Sequence, residues 1–247
     1  MCLRPKFIYR KHLDSHIWNP DSSMRSEVRV ALMGIVNQVL TECKNAKIPF
    51  DASDIQDVFL HGSMANYYYD KHSDIDVCVV CNFSRVSHAL PGINISLLLK
   101  TMAKATFAHM MPFIVGRKVD IAFADVYSPR YGKNRYKVGG CYSVQSDKWV
   151  HKTVRLDKRK IQQIKYDAKR LYRDMRYQVF DVLLEKTDFS RVEALTNALM
   201  RNRKSAYASS PEQPITPYVI AYRMLKESGL LPKAYEHALK LRAAGKK

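Results

Sequence analysis

Two continuous apolar runs set the pattern of the first half of the chain. Val58-Phe59-Leu60 and Val77-Cys78-Val79-Val80 flank a polar stretch that begins His61-Gly62-Ser63 and ends Asp74-Ile75-Asp76. Short apolar runs bounded by Gly, Ser and Asp predict buried strands, here over 57–61 and 74–81. A tight turn, a short helix over 65–69 and a loop are expected between them. Upstream, Val28, Leu32, Ile35, Val39 and Leu40 keep helical spacing, which predicts a helix over 24–44 capped from Asp21-Ser22-Ser23. Downstream the pattern predicts a loop over 82–92 and a helix over 94–109 with Leu97, Leu98, Met102 and Ala105 turned inward. A hairpin follows, with arms at 112–115 and 118–125 around Gly116-Arg117.

Residues 127–150 break the periodicity. Gly132, Gly139 and Gly140 predict turns or a flap, and Arg130, Lys133, Arg135 and Lys137 alternate with Tyr131 and Tyr136. That mixture suits an acidic, base-bearing substrate as well as it suits a plain surface loop. Beyond 150 the periodicity is helical. Ile161, Ile164, Ala168, Leu171, Met175, Val179 and Val182 form one stripe, which predicts a long helix over 157–186 with Asp157 as its cap. Three shorter helices are expected near 190–203, 217–228 and 232–244, with Ser209-Ser210-Pro211 and Pro214 as a linker and Gly229 as a C-terminal cap. The division expected is 1–150 as one domain and 151–247 as a basic helical one.

Charge changes the picture. The chain carries 41 Lys and Arg against 23 Asp and Glu, a formal net charge of +18. Residues 151–247 hold 22 basic and 10 acidic residues, whereas residues 1–150 hold 19 and 13. So basic a chain suits a polyanionic partner, nucleic acid first and a membrane surface second, although a merely solubilising surface gives the same composition. The helical part is the better candidate for such contacts. No window approaches the roughly 18 apolar residues of a membrane span. The opening Met1-Cys2-Leu3-Arg4-Pro5 has no apolar leader region, and the five cysteines have no regular spacing, so a reduced cytoplasmic protein is expected. Cys78 and Cys81 are formally C-x-x-C, but inside a strand they point to opposite faces and read as core thiols.

The chemistry gathers around the Gly-Ser turn. Gly62 can take positive φ and lets backbone approach a ligand closely. Ser63 follows where a helix could begin, so its hydroxyl and nearby N–H groups could face a phosphate. Asp74 and Asp76 are two apart on a strand, hence on one face, and two adjacent carboxylates suit a hard divalent cation such as Mg²⁺. Tyr67, Tyr68 and Tyr69 cannot all be buried, so at least one is expected exposed near the turn, either packed with a solvated hydroxyl or stacked on a base. His61, His72 and His109 have no ligand spacing with Cys or Glu, which argues against zinc. The absence of a G-x-S-x-G elbow argues against a serine hydrolase.

Gly62-Ser63, a gap of about ten residues, Asp74-Ile75-Asp76 and a third acid, Asp120, between apolar neighbours together resemble the signature of the DNA polymerase β-like nucleotidyltransferase superfamily. The resemblance covers residues 55–125. Ala65-Asn66-Tyr67 is the region where many small members carry an Arg, and His61 falls where an apolar residue is commoner. It implies an α+β fold, a short mixed sheet flanked by helices, followed by a helical C-terminal region. It also implies two Mg²⁺ (or Mn²⁺) ions, bridged by Asp74 and Asp76, with Asp120 completing the site of the attacking hydroxyl. Gly62 and Ser63 would hold the β- and γ-phosphates of a nucleoside triphosphate (ATP or another), and Lys165 or Lys169 would face the triphosphate. Asp125 is a poor substitute for Asp120, because five positions separate them and they lie on opposite faces.

The acceptor stays open at this level. RNA, such as a tRNA end or another small RNA, suits the charge. A protein acceptor, as in antitoxin-type minimal nucleotidyltransferases, and a small molecule such as an aminoglycoside are the enzyme alternatives, the last disfavoured because cationic drugs need acidic pockets. A silent nucleotide- or nucleic-acid-binding module is the third, against which the intact set of carboxylates speaks.

Overall fold

A computed structural model describes residues 7–107, 112–127, 139–184, 189–208 and 215–243. The chain divides into two compact units, Tyr9–Val154 and a second made of Arg155–Lys247 with Phe7 and Ile8.

The first unit is built on a mixed sheet. Its strands are β1 (Ile55–His61), β2 (Ile75–Cys81), β3 (Phe113–Ile114), β4 (Arg117–Asp125), β5 (Cys141–Ser143) and β6 (Lys148–His151), in the order β3-β4-β2-β1-β5-β6. β1 runs antiparallel to β2 and β5, while β2 and β4 are parallel. A parallel pair needs a crossover, and α2 (Ser84–Ala89) and α3 (Ile95–Thr106) supply it. Alternation divides the strands cleanly. Ile75, Val77, Val79 and Cys81 of β2 and Val119, Ile121 and Phe123 of β4 join one core with Val28, Leu32, Val36 and Val39 of α1 (Ser26–Asn45) and Leu99 of α3. Each such side chain contributes roughly 1.5–3 kcal/mol on burial. The other face carries a smaller buried cluster of Phe59, Cys78, Val80, Ala124 and Cys141. Cys78 and Cys81 therefore lie on opposite faces, as core thiols should. None of the four described cysteines forms a disulfide, and burial pushes the Cys43 thiol up to about 11 and Cys141 to about 12.

Several local expectations need correction. The loop over 82–92 contains α2. The helix after the Gly-Ser turn is a single 3₁₀ turn over Gly62–Ala65, earlier than the spacing suggested. α1 starts after Arg25 with no side-chain cap, because Asp21 instead accepts the Ser23 N–H (2.8 Å) and hydroxyl (2.7 Å) in a turn of its own. Asn94 caps α3, but Ile95, Leu99 and Ala103 face inward and Leu97 is 61% exposed, so the apolar stripe is rotated from the one expected. The flap over 127–150 is corrected at its end, where β5 and β6 extend the sheet beyond β1. Its basic and tyrosine residues at 130–137 lie outside the described residues, as does the Ser209–Pro214 linker.

The second unit is helical: α4 (Lys158–Leu184), α5 (Phe189–Ala208), α6 (Pro217–Glu227) and α7 (Leu230–Ala243). Asp157 accepts the Lys160 N–H at 2.8 Å and so closes the start of α4, as its position suggested. Met175, Val179 and Val182 of α4 pack with Val192, Leu199, Leu225, Leu231 and Ala234. Gly229, at φ +78°, turns the chain between α6 and α7. Among the described residues no helix is long and apolar enough to cross a membrane.

Candidate active site

Register brings the acidic residues to one place. β2 and β4 are paired so that Asp76 lies beside Asp120, with Ile75 beside Val119. Both aspartates therefore project from the sheet face opposite α1 and α3. Asp74 immediately precedes β2, two residues from Asp76, on the same side by alternation. Asp74 and Asp120 are exposed and Asp76 is half-buried.

The Gly-Ser turn closes against this pair. His61, the last residue of β1, is the antiparallel partner of Asp76. Gly62 follows at φ +74°, and its α-carbon lies against the Asp76 carboxylate so closely that any Cβ would collide with Oδ2. Glycine is thus required twice over, for the backbone angle and for the room. Ser63 is half-buried in the 3₁₀ turn beside it.

Side chains that sequence reasoning passed over hold this turn in place. Asn66, 1% exposed, donates from Nδ2 to the Gly62 carbonyl (2.5 Å) and accepts the Gly140 N–H on Oδ1 (3.0 Å). One amide therefore ties the Gly-Ser turn to the segment entering β5. Gly140 must be glycine for this, because a Cβ would strike the Ala65 carbonyl. Trp18 donates its indole N–H to the Met64 carbonyl (2.8 Å), stacks on Trp149 (centroids 4.6 Å) and meets the edge of Tyr142 (5.0 Å). The 3₁₀ turn thus has two of its carbonyls fixed by buried side chains.

The loop that delivers Asp74 is held from β4. Arg117 donates from Nη1 to the carbonyls of Asp70 (2.7 Å) and Ser73 (3.0 Å), and from Nη2 to Asp14 Oδ2 (2.5 Å). Burial opposes ionisation of Asp14, but the N–H and ring hydrogen bonds of His16 and the Arg117 guanidinium outweigh it and hold its pKa below the ordinary carboxylate range. Arg117 and Arg10 also lie over the ring of Tyr69, at 5.9 and 5.5 Å from its centroid. Tyr67, Tyr68 and Tyr69 are all half-buried, so none is the exposed tyrosine expected beside the turn.

Lys165 and Lys169 stand one turn apart on α4 in the helical unit. Lys165 is half-buried, with Nζ 5.9 Å from the centre of the Phe7 ring, and Lys169 is exposed. A groove of about 620 Å³ bounded by Asn37, Thr41, Phe107 and Phe113 contains none of these candidate residues. Among the described residues no three His, Cys, Asp or Glu side chains converge tightly enough to form a metal centre. Register, rather than mutual contact, is what gathers the three aspartates.

The unit thus presents a strand, a Gly-Ser turn, a strand opening on paired aspartates and a third aspartate on the neighbouring parallel strand. A family model described as nucleotidyltransferase domain matches residues 38–170, more than half of the 247-residue chain, and the chain belongs to that family. Neither the curated proteins nor the solved structures gave a match. Membership carries transferase activity in general, with a nucleoside triphosphate as the donor of the nucleotidyl group.

Proposed function

We propose that the protein transfers a nucleoside monophosphate from a nucleoside triphosphate to a hydroxyl of RNA, releasing pyrophosphate, at an acidic edge formed by Asp74, Asp76 and Asp120. The observation that carries this reading is the pairing of Asp76 with Asp120 across β2 and β4 while the Asp76 carboxylate rests on Gly62. That packing is what a glycine at this position allows and any other residue forbids. Residues 1–150 are assigned to catalysis and 151–247 to acceptor binding.

The donor set is all oxygen, which suits Mg²⁺ or Mn²⁺ together with substrate phosphates. When bound, two such ions would neutralise charge on the attacking and leaving oxygens of an in-line displacement. Asp74 and Asp76 are assigned as shared ligands. Asp120 completes the acceptor side, orienting the hydroxyl and accepting its proton as oxygen bonds to the α-phosphorus and the bond to pyrophosphate breaks. Gly62 and Ser63 are assigned to the β- and γ-phosphates. Because charge is spread over phosphate oxygens, holding the reactants in line supplies most of the rate. Lys165 and Lys169 are proposed for the triphosphate on family resemblance alone.

The net charge of +18, concentrated in residues 151–247, supports RNA over an uncharged or cationic acceptor. The test is to incubate the protein with each labelled nucleoside triphosphate, Mg²⁺ or Mn²⁺, and total RNA. Label in RNA supports the reading. Label in protein alone makes this a protein-nucleotidylating enzyme, and no label with any donor removes the assignment.

A further inference from the structure

The outer face of α4 carries a pattern that the catalytic assignment does not use. Tyr166 and Tyr177 are 67% and 68% exposed, among the most exposed large side chains described. They are eleven residues apart. At 3.6 residues per turn that places them within about 20° of each other around the helix, and about 16 Å apart along it. Arg170 and Arg173, both exposed, fall between them on the same line, and Arg159 continues it one heptad earlier. The line Tyr166-Arg170-Arg173-Tyr177 runs i, i+4, i+7, i+11, the spacing of a helix face. The buried positions Ile164, Ala168, Met175 and Val179 occupy the opposite side.

Tyrosines at such exposure leave most of the ring in water, and two in line with arginines between them add little to the core. The borders of the line differ in charge. On one side stand Lys165, Lys169 and Arg176. On the other stand Asp167, Asp174 and Asp181, in heptad spacing. A polyanion laid on this face therefore has one favourable edge and one that repels it. Its backbone would lie toward the cationic edge within reach of Arg170 and Arg173, with bases turned over the two rings.

We propose that this face of α4 is a docking platform for single-stranded RNA, in which Tyr166 and Tyr177 each stack on a base and Arg170 and Arg173 contact the intervening phosphates. This deepens the RNA reading above and rests on it. Bases stacked in a strand are about 3.4 Å apart, so the two rings engage bases several nucleotides apart rather than neighbours. Duplex RNA hides its base faces and gives these rings nothing to stack on.

The test uses the full chain and a fluorescein-labelled oligouridylate of about 12 nucleotides, within the range of single-strand sites, by fluorescence anisotropy without nucleoside triphosphate. Tyr166→Ala and Tyr177→Ala are each expected to weaken binding by roughly fivefold or more, the scale of one lost base stack. Tyr166→Phe and Tyr177→Phe are expected to bind as the unaltered protein does, and blunt duplex RNA of equal length to bind several-fold more weakly. Binding unchanged in both alanine variants, or equal affinity for duplex and single strand, overturns the platform. Competition by polyglutamate as effective as that by unlabelled oligouridylate also overturns it and points to an acidic protein partner. RNA labelling in the transfer assay by a Tyr166→Ala/Tyr177→Ala protein with intact RNA binding would refute the platform alone. A protein that binds oligouridylate through the tyrosines but labels no RNA would refute the transfer reading alone.

Discussion

Gly62 is where backbone conformation and chemistry meet. It adopts φ +74°, and the space where its Cβ would lie is filled by the Asp76 carboxylate. Gly92 adopts φ +79° with nothing within 4 Å of such a Cβ. The pair separates strain from displacement. Both Gly→Ala variants are expected to lose about 1–2 kcal/mol to left-handed backbone strain, read as lower thermal midpoints. Gly62→Ala alone should also push Asp76 away and reduce transfer at least tenfold, while Gly92→Ala keeps it. Equal activity in the two would mean that Asp76 does not need its seat on Gly62. Asn66 makes a related case. Asn66→Ala leaves the half-buried Gly62 carbonyl and the buried Gly140 N–H without this partner, a cost of about 1–3 kcal/mol, and should lower kcat more than it changes KM for the nucleoside triphosphate. The gathering of Gly62, Asp76 and Asp120 at one edge of the sheet was legible in the sequence because a short motif with fixed spacing encodes it. Asn66 was not, because its amide partner Gly140 lies 74 positions away and an asparagine in a turn signals nothing on its own.

At the scale of elements, β4 positions more than its own carboxylate. Arg117 stands three residues before Asp120 and clamps the carbonyls of the loop that ends at Asp74. Arg117→Lys should not restore the function of Arg117→Ala, since an ammonium cannot make the same forked set of bonds. Both should lower kcat with the three aspartates still present. Asp14 is the buried counterion of that arginine, with side chains 3% and 12% exposed respectively. Asp14→Asn is expected to cost about 3 kcal/mol at neutral pH. Because the folded pKa of Asp14 lies below its unfolded value of about 4, its contribution is complete above that pH and is lost as pH falls through the folded value. The gap in thermal midpoint between the unaltered protein and Asp14→Asn should therefore close as pH falls below about 4, and a gap that stays constant would contradict the assignment. Helix α4, the β2 strand and the β3–β4 hairpin were readable from periodicity because each is long or bounded by turn residues. β5 and β6, three and four residues long, were not, since their pairing partners rather than their own composition make them strands. The inward face of α3 was misplaced because its apolar residues exceed what one face can bury, and the packing chose Ile95, Leu99 and Ala103.

At the scale of the whole molecule, charge is the property that bears on the acceptor. Each phosphate contact releases counterions, so RNA affinity should fall steeply with salt, with a log–log slope near −0.7 per contact on a single strand. Replacing Lys165, Lys169, Arg173 and Arg176 by Gln should weaken binding and flatten that slope. An interaction insensitive to salt would assign the +18 charge to solubility instead. Composition made the basic helical part legible, but it could not show that α4 sorts its charges, cations on one border of Tyr166 and Tyr177 and aspartates on the other. Nucleotidyl transfer at the acidic edge of the sheet is read out by pyrophosphate release. With nucleoside triphosphate, divalent cation and RNA present, the unaltered protein should release pyrophosphate and label RNA. Asp76→Asn and Asp120→Asn should do neither, yet stay folded with a cooperative melt, because Asn keeps the size and shape of Asp. Release at the unaltered rate by either variant would place the chemistry away from these aspartates.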